Sequence, residues 1–316
     1  MAHLLKVEDY TSRYQHDIQR YPSQFTRLKK DRWQYMRREW IRVNRKTAKE
    51  DTDKLDDWFE EVNNGFFSFA LDRLKNFSGR KRVLDELLEE QDDAANFYKG
   101  KTVEKLKDIF YEDLFQAQLR WASSSLFDES GLNPKYKYDR NLRYFLREFP
   151  DNYMVLYNPV FLIGTARVEM DIILLSPTDV YFITTIDGKQ TSVFETSSGR
   201  FWNEYVDGIR KRRVSPVISL NRMIGIVQDI IQDKKISMNL QKIVLTPNAI
   251  IDHRAAGMKV KMIDKRNHEG WLEKMKRHPS PLKKIQLEMA ELLLQHTLTT
   301  SFRRKDLFDE NENIEN

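Results

Sequence analysis

The sequence predicts an α/β protein, a mixed sheet flanked by helices, preceded by an N-terminal all-α segment. Three observations predict it. Apolar residues recur at helical spacing through residues 1–130. The pattern changes after Ser123–Tyr138, a stretch holding Ser, Gly, Asn and Pro. Beyond it, hairpin-like strands come first and helices then alternate with strands, which implies a sheet covered by helices.

The first helix is expected around Trp33, Met36, Trp40 and Val43, whose three- and four-residue spacing makes an apolar seam. Trp33 and Trp40 lie on that seam and are expected in the core. Leu55, Trp58, Phe59, Val62, Phe66 and Phe69 repeat the pattern, and Val83, Leu84, Leu87 and Leu88 follow after Ser78-Gly79. Thr102, after Gly100-Lys101, is placed to cap a further helix through Val103, Leu106, Ile109, Phe110, Leu114 and Leu119. Amphipathic helices with short connections suggest a bundle or a coiled hairpin.

In the second half a short helix is expected from Asp139 to Phe149. Strands are expected at Tyr153–Tyr157, Val168–Leu175, Val180–Ile186, Ser192–Thr196, Lys242–Thr246 and Val260–Ile263. A helix spans Ile218–Ile231, and Ser280-Pro281 reads as the capped start of a last long helix. Three segments result: a helical domain over 1–130, an α/β domain over 131–300, and an acidic tail over 301–316 expected to be disordered.

Composition narrows the classes. The chain has no cysteine, which excludes disulfides and thiolate metal sites. Its six histidines show no metalloprotease spacing, and neither a phosphate loop nor a nucleophile elbow is present. No apolar run reaches membrane-spanning length, and Met1–Lys6 lacks the core of a signal peptide, so a cytoplasmic protein with no membrane role is expected. The formal charge of +5 is compatible with nucleic acid without pointing to it.

Two basic stretches stand out. Arg27–Lys46 holds nine Lys or Arg and two acids, with Arg38, Arg42 and Arg45 on one helical stripe. The stripe suits a phosphate backbone, or an antiparallel hairpin with Glu50–Glu61, which carries seven acids. Arg210-Lys211-Arg212-Arg213 reads as a loop with no acidic run beside it, either a phosphate contact or a solvated turn.

The acids with chemical potential lie in Val168-Glu169-Met170-Asp171-Ile172-Ile173-Leu174-Leu175. Residues i and i+2 of a strand share a face, so Glu169 and Asp171 are expected to meet one site, occupied by a metal ion or by a cation such as Arg167, Arg200 or Arg210–Arg213. A turn, Ser176-Pro177-Thr178-Asp179, leads to a second strand, Val180-Tyr181-Phe182-Ile183.

With the helix Asp139–Leu146 and the strand Tyr153–Tyr157 before them, these elements resemble the nuclease-related domain (NERD) family, of restriction-endonuclease-like fold. Arg200-Phe201-Trp202 looks like that family's tryptophan segment, and Val214-Ser215-Pro216 like its Asn-Pro start of a helix. The resemblance covers roughly residues 138–265. It implies Mg²⁺-dependent phosphodiester hydrolysis with Asp139 at the helix acid and Asp171 at the central aspartate. The family's Glu-x-Lys, however, falls on Thr184-Thr185-Ile186, and its helix glutamine falls on Ser219. Neither Thr184 nor Ile186 supplies the missing charge.

The expectation is therefore a degenerate nuclease-fold protein that binds nucleic acid, with DNA as the expected partner, or serves as an assembly module in DNA transactions. Asp139, Glu169 and Asp171 are its candidate metal residues. Arg210–Arg213 with Arg38, Arg42 and Arg45 are its candidate backbone contacts. One alternative is an active Mg²⁺ nuclease in which Asp187 joins Asp171 as a ligand and Lys189 positions water. Against it, Asp187-Gly188 suits a surface hairpin turn better than a strand. Another is a protein-interaction scaffold that self-associates or takes a protein partner through its helices.

Overall fold

A six-stranded mixed sheet forms the centre of the computed structural model, which describes residues 1–44, 58–59, 97–232, 234, 236–253 and 259–303. In chain order the elements begin with β1 (His3–Val7), α1 (Tyr21–Val43), α2 (Val103–Trp121), α3 (Arg140–Arg147), β2 (Met154–Tyr157), β3 (Val160–Ile163), β4 (Ala166–Glu169), β5 (Ile172–Leu175) and β6 (Asp179–Thr185). They continue with β7 (Val193–Glu195), β8 (Phe201–Val206), β9 (Ile209–Val214), α4 (Pro216–Ile231), β10 (Asn239–Thr246), β11 (Ile250–Asp252), β12 (Lys261–Asp264), α5 (His268–Lys276) and α6 (Lys284–Gln295).

The central order is β1-β2-β5-β6-β10-β12. β2, β5 and β6 form an antiparallel meander, while β1 and the pair β10 and β12 run parallel to their neighbours. A second sheet has the order β9-β8-β7-β11, and β3 pairs with β4 as a separate hairpin. The mixed sheet flanked by helices is the architecture the alternating pattern predicts.

The sheet divides two cores. Leu174, Ile183, Leu245 and Tyr157 face the side of α1, α2 and α3. Ile173, Phe182, Val244 and Leu175 face the side of α4 and α6. Alternation along each strand makes this division, because successive side chains leave opposite faces.

The buried residues of α1 include Pro22, Phe25, Lys29, Trp33, Met36 and Trp40, the heptad-like spacing that packs one helix against a neighbour. Trp33 and Trp40 are each 2% exposed, so both tryptophans are core. A fully buried large apolar side chain contributes roughly 2–3 kcal/mol. Thr102 caps α2 by accepting from the Lys105 amide at 3.3 Å, and Asp139 caps α3 by accepting from Leu142 at 3.0 Å.

Four expectations meet a different structure. His3–Val7, inside the segment read as helical, is an edge strand paired with β2. Val168–Leu175 is not one strand: the chain leaves the β3–β4 hairpin at Glu169 and joins the central sheet at Ile172. Arg210–Arg213 is the exposed strand β9, not a loop, because each residue pairs with β8 in antiparallel register. The last helix begins at Lys284 rather than Pro281, since Ser280 is held outside it by a 2.8 Å bond from the Asn152 amide to its carbonyl. Most of the second expected helix, the third helix, the acidic run opposite the basic helix except Trp58 and Phe59, and the tail from 304 lie outside the described residues.

Candidate functional site

Asp171 sits where the chain enters β5, across the sheet from Thr184 near the end of β6. The register explains the meeting: Ile172 pairs with Ile183, so the preceding and following residues come opposite each other. The Thr184 hydroxyl donates to Asp171 Oδ2 at 2.5 Å, and the Ser219 hydroxyl, from the first turns of α4, donates to the same oxygen at 2.7 Å. Ser215 precedes that helix, with Pro216 in its first turn, where the missing amide proton costs nothing. No arginine neutralises Asp171 among the described ion pairs; two neutral hydroxyls hold it instead.

Asp139 is on the other side of the sheet. Both of its carboxylate oxygens accept from the Tyr157 hydroxyl at 3.0 Å, and Oδ1 also accepts from the Leu142 amide. Burial first, then the neighbouring Asp139 carboxylate, pushes the Tyr157 hydroxyl far above the usual phenol range, which keeps it a donor. Tyr157 belongs to the first core, whereas Asp171 meets α4, whose Leu220 and Met223 belong to the second. The sheet therefore stands between the two acids.

Glu169 is exposed at the end of β4, and Arg222 donates to its backbone carbonyl at 3.0 Å. The break at Met170 removes the regular alternation that would align Glu169 with Asp171. Met170 itself is buried, and its amide donates to the Pro159 carbonyl at 3.0 Å.

Asp187 and Lys189 are exposed in the segment that leaves β6 for the second sheet, not in a hairpin turn. Asp187 is near enough to Tyr157 for its charge to raise that hydroxyl's pKa. Gly188 between them is tightly enclosed: a Cβ there would lie 2.6 Å from Ala249 Cβ and 2.9 Å from the Phe194 ring. Gly188→Ala is thus expected to cost about 1–3 kcal/mol by overpacking, read as a lower urea midpoint at unchanged slope.

A magnesium ion needs several oxygens converging on one point. Among the described residues, no group of three or more His, Asp or Glu is arranged to hold a metal ion. Asp139 and Asp171 each carry hydrogen-bond donors already, on opposite sides of the sheet.

The basic candidates divide by environment. On β9 all six residues are exposed. Arg213 Nε donates to Glu204 Oε2 at 2.7 Å, and Ser192 donates to the other oxygen of this buried acid at 3.1 Å. The Arg212 guanidinium lies 4.2 Å from the Phe201 ring centre. Arg210 and Lys211 form no ion pair among the described residues and face solvent. In α1, Arg42 pairs with Glu39 at 2.7 Å and Arg38 Nε donates to the Gln34 carbonyl, while Arg45 lies outside the described residues. Trp202, fully buried, donates to the Ser197 carbonyl at 3.2 Å and anchors the strand next to β9.

A cavity of about 130 Å³ opens beside these elements, at the C-terminal ends of the parallel strands β6 and β10 and under α3. Sequence reasoning did not assemble it, because Asn141, Thr246 and Asn248 come from separate segments.

Comparison with known proteins agrees with this arrangement of elements. Residues 135–247 match the family model of the nuclease-related domain. That segment contains α3, the whole β2–β9 region, α4 and β10. It includes both Asp139 and the Asp171–Thr184–Ser219 cluster. The chain is also 32% identical over 123 residues to a protein of Geobacillus stearothermophilus named RNA 2',3'-cyclic phosphodiesterase. That match covers 37% of this chain and 36% of the relative, so only about a third of either protein is aligned. No solved structure matches.

Proposed function

We propose that this nuclease-related protein binds nucleic acid through β9 and does not carry out metal-dependent cleavage. One observation carries the reading: Asp171 Oδ2 accepts from the hydroxyls of Thr184 and Ser219, at the positions where the family resemblance puts a carboxylate and a glutamine. A second carboxylate there would require a cation between the two acids. Two hydroxyls satisfy Asp171 without one. Ile186 contributes no charge to orient water. Arg210 and Lys211 project from an edge strand, where cations also prevent edge-to-edge pairing, and Arg212 over Phe201 adds a stacking platform.

The test joins cleavage with binding. Plasmid DNA and single-stranded RNA, with Mg²⁺ or Mn²⁺, are expected to stay intact with wild type and with Asp171→Ala alike. Metal-dependent cutting that Asp171→Ala abolishes would overturn the proposal. In a salt titration, affinity is expected to fall as salt rises, and each of Arg210→Ala and Lys211→Ala to reduce the slope by about one. An affinity indifferent to salt rules out phosphate contacts and favours a scaffold.

The printed name of the Geobacillus relative supports a second reading, a phosphodiesterase acting on RNA. RNA ending in a 2',3'-cyclic phosphate, included in the same assay, separates the two.

A further inference from the structure

We propose that the outer face of the second sheet, over β8 and β9, is a platform for single-stranded nucleic acid. Bases stack on Phe201 and Tyr205, and phosphates lie against Arg210 and Arg212. The inference rests on the nucleic-acid reading above and names the form of nucleic acid that this surface takes.

Strand register builds the face. Along β8, Trp202, Glu204 and Val206 are buried, so Phe201, Asn203 and Tyr205 leave the opposite side of the sheet. Tyr205 pairs with Arg210 and Asn203 with Arg212, and residues paired across two strands share a face. Lys211 and Arg213 therefore leave the inner side, where Arg213 meets Glu204. On the other flank of β8, Glu195 of β7 pairs with Asn203, and Asp252 of β11 pairs with Glu195. The face is thus graded across its strands. Acids lie over β7 and β11, aromatic rings over β8, and cations over β9, the edge strand.

The gradient selects a single strand and orients it. Arginines on one flank attract phosphates and carboxylates on the other repel them, so the backbone runs along β9 and the bases turn inward over β8. Phe201 is still 37% exposed with the Arg212 guanidinium 4.2 Å from its ring centre, so ring and planar cation offer adjoining stacking surfaces. Tyr205 is half-buried, and its hydroxyl donates to Glu195 Oε2 at 3.2 Å, which fixes the ring on the face. The Asn203 amide donates to the same oxygen at 3.0 Å, so the carboxylate nearest the rings is already engaged. Phe201 and Tyr205 are four residues apart on one strand, about 13 Å, so each ring takes its own base. A duplex keeps its base faces stacked inside the helix. It would gain the two arginines and nothing from the rings.

The test separates bases from phosphates. Thymidylate and uridylate decamers are compared with an abasic decamer, which has the same phosphates and no bases, by fluorescence anisotropy with the full chain. The base-bearing decamers are expected to bind about a hundredfold tighter, roughly tenfold for each stacked base. The tighter of the two names DNA or RNA as the source. Phe201→Ala and Tyr205→Leu are each expected to lower that ratio about tenfold, and Tyr205→Phe, which keeps the ring, to leave it. Unchanged binding of the abasic decamer shows that the variants fold. The salt slope should stay constant in the aromatic variants, whereas Arg210→Ala lowers it by about one for every decamer. Equal, salt-sensitive affinity for base-bearing and abasic decamers overturns the platform and leaves the backbone-contact reading. So does a duplex of the same length that binds as tightly as the single strand. A preference for base-bearing decamers that is indifferent to salt overturns the backbone-contact reading and leaves the stacked bases. Binding of no decamer overturns both.

Discussion

Replacing Lys29 with methionine is expected to lower the free energy of unfolding by about 3–5 kcal/mol. Lys29 Nζ donates to Asp151 Oδ2 at 2.7 Å, and the two side chains are 2% and 0% exposed. The bond joins the middle of α1 to the segment that enters β2, so it ties the N-terminal helix to the sheet. Removing the ammonium group leaves a fully buried carboxylate unpaired, and Asp151 Oδ1 already has no hydrogen-bond partner among the described residues. Burial alone would raise the Asp151 carboxyl, but Lys29 and the other nearby cations outweigh it and hold the group below the usual carboxylate range. Its contribution is therefore complete above the unfolded carboxylate pKa and is lost as pH falls through the folded value. Asp151→Leu should cost a similar amount for the opposite reason, an unpaired buried ammonium. The double variant should recover most of the loss, because two apolar side chains need no partner. Urea denaturation of the four proteins gives the coupling directly. Single substitutions costing under about 1 kcal/mol would mean that water reaches the pair.

Much of this fold was legible because its signals are local. The seam of Trp33, Met36 and Trp40 needs only helical periodicity, and Asp139 and Thr102 announce the helices they cap. The meander β2–β5–β6 was legible apart from its break at Met170, which depends on where the β3–β4 hairpin leaves the central sheet. β1 was not legible. His3 and Lys6 interrupt an apolar run, and the partner strand β2 is far away in sequence. Their burial depends on tertiary partners: Tyr14 for His3, and Gln15 and Thr299 for Lys6. The candidate site divides in the same way. Family spacing put Thr184 and Ser219 at the positions that meet Asp171. That both donate to one carboxylate oxygen requires α4 to lie over the end of β6, which no spacing conveys. The separation of Asp139 from Asp171 by the sheet is likewise a property of register and face.

Acidification is expected to destabilise the protein in part through His3, and the sign follows from its burial. The ring is fully buried among Tyr14, Phe25, Lys29 and Asp151. Burial, with the Lys29 charge adding to it, lowers its pKa from 6.5 to about 3. Between those values the unfolded chain binds a proton that the folded protein refuses. Stability then falls with falling pH by about 1.4 kcal/mol per pH unit, a loss that begins near 6.5 and ends near the folded value. Lys6 acts in a different window. Burial lowers it from 10.5 to about 7, so it makes stability rise between about 7 and 10.5 and leaves the acid limb unaffected. His268 and His278 are also lowered by burial and contribute to the acid limb, which is why the comparison must be with a variant rather than with a calculated total. His3→Gln keeps a hydrogen-bonding group near Tyr14 without a titrating ring. Its stability at pH 7 can differ from wild type. Its slope between pH 6 and 4 should be smaller by about one proton. Urea midpoints at half-unit pH steps measure that slope, and parallel curves for the two proteins would exclude His3 as the acid-sensitive group.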